Sequence, residues 1–255
     1  MTMNIAVIGE SCKDEYIYGT CDRVCPEAAA LCFKHDNTKS INIGMAGNTY
    51  NNLLSLSKDN SIELITAQSQ IIKRRFVDKR YNTIIFREDV NDICDPICLD
   101  NYNFDKYDCI VFSDYCKGFL SEVDIVEICK RKKTNCVTFI DTKKRLSSFV
   151  KHIDFVKINS VEFSHNVVDF KNINNMCNLI VTTGEKGADL YTRNNSVPIN
   201  YPTEKIELRD VCGAGDTFLA GLVIEYMSSQ NIDKAITYAN QCSNKVVRQF
   251  GVVTP

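Results

Sequence analysis

Four short apolar runs constrain this chain more than any other feature. Cys109-Ile110-Val111-Phe112, Cys136-Val137-Thr138-Phe139-Ile140, Asp154-Phe155-Val156-Lys157 and Leu179-Ile180-Val181-Thr182 each read as a strand, with residues 121–133 a helix between the first two. The runs are continuously apolar rather than alternating. A strand of that kind is covered on both faces, which points to a parallel sheet with helices on either side. Ile5-Ala6-Val7-Ile8-Gly9 reads as a further strand of the same kind. Polar groups follow the strand ends: Asp114, Asp141, Asn159 and Thr183-Gly184. In open sheets of this class, ligands bind at the carboxyl ends of the strands.

The rest of the chain predicts the elements around that sheet. Residues 14–34 carry Tyr16, Tyr18, Val24, Leu31 and Phe33 in irregular alternation, as expected for short strands of a small subsidiary sheet. Residues 46–58 fit a helix. Residues 61–66 and 71–87 read as strands, the second set broken at Tyr81-Asn82 as in a hairpin. Residues 187–200 suggest an antiparallel hairpin, 215–228 and 232–249 two closing helices, and the Asn-rich stretches 172–178 and 194–200 loops. No linker divides the 255 residues, a length that one α/β domain accommodates.

Charge and cysteine usage narrow the function class. A net charge of -2 gives no sign of a nucleic-acid or membrane partner. No apolar run reaches membrane-spanning length and the opening strand is no export signal, so a cytoplasmic protein is expected. The 13 cysteines include no C-x-x-C pair and only three His residues accompany them, which argues against structural zinc. Free thiols, several of them buried, are expected.

Chemistry concentrates in Asp210-Val211-Cys212-Gly213-Ala214-Gly215-Asp216-Thr217, which runs into the apolar segment Phe218–Ile224. Two glycines two residues apart form an unobstructed turn, and the segment after it reads as a buried helix. Free backbone N–H groups and the dipole at a helix N-terminus favour an anion. Asp216 at that point suggests phosphoryl transfer, with its carboxylate accepting the proton of the attacking hydroxyl. An Asp there is equally a helix cap.

With these motifs in place, the chain resembles the ribokinase-like (PfkB-type) carbohydrate kinases over nearly its whole length. Asp210–Asp216 matches the kinase signature, Val181-Thr182-Thr183-Gly184-Glu185-Lys186-Gly187 the nucleotide-side loop, and Asn159-Ser160-Val161-Glu162 an Asn-x-x-Glu motif. Gly9–Tyr16, Asp22-Arg23-Val24-Cys25-Pro26-Glu27-Ala28 and Ser113-Asp114-Tyr115-Cys116-Lys117-Gly118 are similar to the bacterial D-glycero-D-manno-heptose 7-phosphate kinases within that family. The resemblance implies a ribokinase-like three-layer α/β sandwich, with a mostly parallel sheet and a small β lid from roughly 14–34 and 71–87. It implies ATP and Mg2+ as cofactors, a sugar phosphate as acceptor, and a possible homodimer through the lid. The corresponding activity is phosphorylation of the anomeric O1 of the heptose 7-phosphate. The chain departs from the family at Met45, where a glycine is usual and a bulky side chain would crowd the sugar. It is also shortened between 58 and 71 and over 166–178, and Cys212 replaces a usual Thr. These departures keep two alternatives open: a kinase for another sugar, sugar phosphate or nucleoside, and a non-catalytic nucleotide or sugar-phosphate binding module.

The resemblance carries roles to particular residues. Asp216 would be the base, and the backbone N–H groups around Gly213, Ala214 and Gly215 an anion hole. Thr183, Gly184 and Gly187 would shape the nucleotide loop, with Asn240 near adenine. Asn159 and Glu162 would organise magnesium, chiefly through water; the same pair also fits a capping box. Asp14, Gly44 and Asn48 would face the sugar. Lys73, Arg75 and Lys117 would meet its phosphate, whereas Arg74 and Arg80 fit charges guarding an edge strand. Lys143 fits either a phosphate contact or a pair with Asp141.

Overall fold

The computed structural model describes residues 2–166, 170–205, 212–248 and 254–255. Its strands are β1 (Asn4–Gly9), β2 (Ser11–Val24), β3 (Leu31–Met45), β4 (Ser61–Ile65), β5 (Ile71–Asp78), β6 (Thr83–Val90), β7 (Cys109–Asp114), β8 (Val137–Thr142), β9 (Phe155–Asn159), β10 (Asn178–Thr182), β11 (Ala188–Tyr191) and β12 (Ile199–Tyr201). The helices are α1 (Ala46–Leu56), α2 (Glu122–Arg131), α3 (Ser160–Asn166), α4 (Phe170–Asn174), α5 (Ala214–Ser229) and α6 (Ile232–Val246).

Eight strands form one sheet in the order β12-β11-β10-β9-β8-β7-β1-β4. The run β10-β9-β8-β7-β1-β4 is parallel, and β11 and β12 add an antiparallel edge. Alternate residues of the buried strands pack to opposite sides. Ile5, Val7, Val111 and Phe139 join Leu53, Phe218, Leu222 and Ile236 of α1, α5 and α6. Ala6, Ile8, Ile110 and Ile140 join Ile125 and Ile128 of α2. The result is a helix–sheet–helix sandwich, as the sequence pattern implies.

Local chemistry fixes the helix ends. Ser121 and Asp124 close a reciprocal capping box on α2. The Asn231 side chain accepts the Lys234 N–H at the start of α6. α5 is buried from Asp216 through Val223, because it lies between α1 and α6; this accounts for the absence of a polar stripe over Phe218–Val223.

A separate four-stranded sheet, order β3-β2-β5-β6, makes the lid. It is larger than the sequence suggests. β2 and β3 are long strands of 14 and 15 residues rather than several short ones, and β3 continues through 35–45. Only five residues separate β4 from β5, so the chain crosses directly from the main sheet to the lid where the sequence reads as shortened. The stretch 172–178, expected to be a loop, contributes its first residues to α4 and its last to β10, while β12 occupies 199–201.

Candidate active site

The site begins at the turn into α5. Gly213 adopts φ 78°, a left-handed conformation that glycine takes without steric cost, and this aims the following N–H groups out of the helix end. A side chain at Gly215 would bring its Cβ to 3.0 Å from the Lys157 ammonium. Lys157 is buried on β9 and pairs with Asp141 on β8 at 2.5 Å. The turn therefore has a fixed cation beneath its free N–H groups. Asp210 and Val211, the first residues of the signature, lie outside the described residues.

Asp216 is buried just inside the helix. Asn48 Nδ2 donates to its Oδ2 at 2.7 Å, and the Tyr115 hydroxyl to its Oδ1 at 2.7 Å; Thr49 Oγ1 lies 3.4 Å from Oδ1. Burial pushes the Asp216 carboxyl above its ordinary value, against the opposing effect of the Asn48 and Tyr115 hydrogen bonds. Asp216 is thus tied to α1 and to the loop after β7.

On the α6 side of the turn lies a cleft of about 370 Å³. Thr182, Gly184 and Gly187 form one wall, Ala214, Gly215 and Phe218 the floor, and Asn240, Ser243 and Asn244 the other wall. Thr183 closes its loop through its N–H and Oγ1 to the Gly187 carbonyl. Asn240 is not the surface polar residue that its helix position also allows: it is buried at the cleft and donates to the Tyr201 carbonyl at 3.0 Å.

Asn159 and Glu162 form a reciprocal box at the start of α3. The Glu162 carboxylate accepts the Asn159 N–H at 2.8 Å, and Asn159 Oδ1 accepts the Glu162 N–H at 2.9 Å. The second Glu162 oxygen takes Lys143 Nζ at 3.0 Å, so Lys143 pairs with Glu162. Among the described residues no group of three or more His, Cys, Asp or Glu could hold a metal ion directly. This donor set fits an ion held through water and ligand oxygens rather than by a protein cage.

The lid side shows which cations are compensated. Arg75 is buried and pairs with Asp14 at 2.6 Å. Lys117 is engaged with Asp92. Arg74 pairs with Glu15 and Glu88, and Arg80 with Asp22 and Asp78; neither guards an edge, because β5 lies between β2 and β6 and Arg80 follows its end. Lys73 reaches the ring of Tyr115 instead, its Nζ 5.7 Å from the centroid. The three cations grouped by sequence are therefore unlike one another. Gly44 leaves room for Asp14: a Cβ there would lie 2.2 Å from Asp14 Oδ2.

Two features differ from sequence expectation or escape it. Met45 does not crowd a sugar, because its side chain is buried in the apolar cluster that includes Cys12, Ile65 and Ile71. Its φ of 59° and ψ of -130° do retain a glycine-like backbone. Glu10, which lies in the Gly9–Tyr16 stretch but is given no role by the sequence, is fully buried and accepts N–H bonds from Tyr115, Lys117 and Phe119. It fixes the loop that carries Tyr115. Besides its place in that stretch, the sequence signal for Glu10 is an acid directly after a buried strand, where it must find donors.

The fold is ribokinase-like, and the family to which the chain belongs makes it a sugar kinase. The family model for pfkB family carbohydrate kinases matches residues 58–255, and the chain belongs to that family. Among curated relatives, the bifunctional protein HldE of Aliarcobacter butzleri is 27% identical over 301 aligned positions, covering 98% of this chain and 62% of the relative. HldE of Helicobacter pylori is 26% identical, with 97% and 63% covered. The chain thus spans about three-fifths of the length of these relatives. The ribokinase of Thermotoga maritima superposes with a TM-score of 0.75 at 15% identity, covering 98% of this chain and 94% of that one. Arabidopsis thaliana ribokinase, solved with ribose and ATP, gives 0.71 at 13% identity, with 98% and 94% covered.

Proposed function

We propose that this chain transfers the γ-phosphoryl group of ATP to the anomeric O1 of D-glycero-D-manno-heptose 7-phosphate, giving the 1,7-bisphosphate. The observation that carries the phosphotransfer is Asp216. A buried carboxylate sits at the N-terminal turn of α5, with a cleft on one side and Asn48 of α1 on the other. The heptose reading rests on the sequence similarity at Gly9–Tyr16, Asp22–Ala28 and Ser113–Gly118 and on the HldE relatives.

In this reading ATP lies in the cleft between Gly184, Gly187 and Asn240, with its phosphates toward Gly213, Ala214 and Gly215. The N–H groups of that turn and the Lys157 charge beneath it stabilise the transferring group. Asp216 orients the sugar hydroxyl and takes its proton late in a loose transition state. Its raised proton affinity suits that task better than an ordinary carboxylate of pKa about 4. Asn159, Glu162 and Lys143 would hold phosphate oxygens and the water around Mg2+, and the bound ion would neutralise charge on the nucleotide phosphates. Asp14 and Asn48 would hold sugar hydroxyls, a recognition that rejects analogues lacking them. Lys73 is the first candidate for the distal phosphate, since Arg75 and Lys117 already have carboxylate partners.

That same neutralisation favours a second reading, a kinase for another sugar or sugar phosphate. ADP release with Mg-ATP against the heptose 7-phosphate, sedoheptulose 7-phosphate, fructose 6-phosphate, ribose and a nucleoside separates the two. Rapid release with the heptose phosphate alone supports the first reading; release with another member replaces the substrate and keeps the kinase. ATP binding without release from any would support a binding module. We also propose a cytoplasmic location and a homodimer through the lid, whose outer strands expose Leu31, Ile84 and Phe86; sedimentation of Phe86→Asp as a monomer against a dimeric wild type tests the pairing.

A further inference from the structure

The loop Ser113–Gly118 contributes more to the site than the resemblance assigns to it. It comprises the last two residues of β7 and the turn after them, and Glu10 clamps it through the N–H groups of Tyr115 and Lys117. The clamp delivers the Tyr115 hydroxyl to Asp216 Oδ1 at 2.7 Å. Lys73 from the lid and Lys143 from the loop after β8 both stand over the Tyr115 ring, at 5.7 and 5.5 Å. One side chain thus touches the lid, the Glu162 side of the site and the carboxylate at its centre.

A carboxylate offers about four acceptor positions, two on each oxygen. Tyr115 and Thr49 approach Oδ1, and Asn48 occupies one position on Oδ2. Among the described residues a single position remains open, on Oδ2. We infer that Tyr115 is the positioning residue of the phosphotransfer base: it holds Asp216 Oδ1 as a spectator, so that Oδ2 receives the proton of the acceptor hydroxyl. Two fixed donors set the plane of the carboxylate and leave it one direction in which to accept. Burial, and then the Asp216 charge, hold the phenol well above its ordinary pKa, so it stays a donor throughout the pH range of activity. The transferred proton bonds to Oδ2 as the acceptor oxygen takes the phosphoryl group, and Tyr115 keeps its own proton.

This inference rests on the proposed kinase activity, so its test has one readout that needs no turnover. Tyr115→Phe removes the hydroxyl and keeps the ring under Lys73 and Lys143. In ATP-dependent turnover, kcat is expected to fall about 10- to 100-fold, with both KM values within about threefold of wild type. The acid limb of the kcat profile is expected to move up by about one pH unit, because the ionised carboxylate loses a donor. Independently, carbon-13 titration of labelled aspartate, with the Asp216 signal assigned by its loss in Asp216→Asn, should show the same upward movement without substrate. Unchanged kcat and an unmoved Asp216 titration overturn the inference, as does a kcat loss with an unmoved titration, which would make Tyr115 a packing residue. If Asp216→Asn keeps full turnover, the base assignment fails instead, and the titration alone decides whether Tyr115 acts on Asp216.

Discussion

Met45 is held at φ 59° and ψ -130°, immediately before α1. Side-chain-bearing residues avoid this region, and holding one there costs about 1–3 kcal/mol. Its ψ lies outside the ordinary left-handed well, which places the strain toward the upper end of that range. Met45→Ala and Met45→Gly remove nearly the same buried side chain, a loss of about 2–5 kcal/mol, but only glycine also releases the strain. Against that release stand about 0.4–1 kcal/mol of extra unfolded-chain entropy for glycine and about 0.8 kcal/mol for one buried methyl. The net expectation is that Met45→Gly is the more stable of the two by about 1 kcal/mol, or about 2–4 °C in Tm for a chain of this size. Urea unfolding followed by far-ultraviolet circular dichroism measures this directly in a protein that has no tryptophan. At an unstrained position the order reverses, because alanine then keeps both the methyl and the entropic advantage. Met45→Ala matching or exceeding Met45→Gly would refute the strain and the view that Met45 keeps a glycine's backbone.

Gly44→Ala places a Cβ 2.2 Å from Asp14 Oδ2, so Asp14 and its Arg75 pair must shift; sugar KM should rise at least tenfold with ATP KM unchanged, as read by initial rates. Lys73→Gln should raise sugar-phosphate KM more than Lys117→Gln does, since Lys117 is committed to Asp92; equal effects would contradict that ordering. Because burial raises the Asp216 pKa, the active, ionised base is lost as pH falls through that raised value. The acid limb of kcat should therefore lie above the usual carboxylate pKa of about 4, and a limb at or below it counts against Asp216 as the titrating group.

The parallel sheet was legible because its strands are buried on both faces and so read as unbroken apolar runs. The continuation of β3 beyond residue 34 was not, since residues 34–39 are exposed and polar on both faces. That segment gains its strand from pairing with β2, a partner that no local period announces. The turn at Gly213–Asp216 and the box at Asn159–Glu162 were legible because backbone geometry restricts which residues can form them. The pairing state of Arg75 and Lys117 was not, because their partners Asp14 and Asp92 are brought close only by the lid's strand register and by the loop after β6. Lys157 and Glu10 could have been flagged as charges within or beside buried strands, where a charge must be paired. Tyr115 stood inside a recognised motif, but its aim at Asp216, 101 residues away in sequence, exists only in the folded chain.

The central claim is that Asp216 is the base for phosphoryl transfer, and Asp216→Asn tests it most directly. The variant should bind ATP with wild-type affinity by calorimetry and keep its fold by circular dichroism. Its ADP release, with whichever acceptor the wild type uses, should fall at least a hundredfold. Turnover within a few-fold of wild type in a folded, ATP-binding variant would contradict the claim.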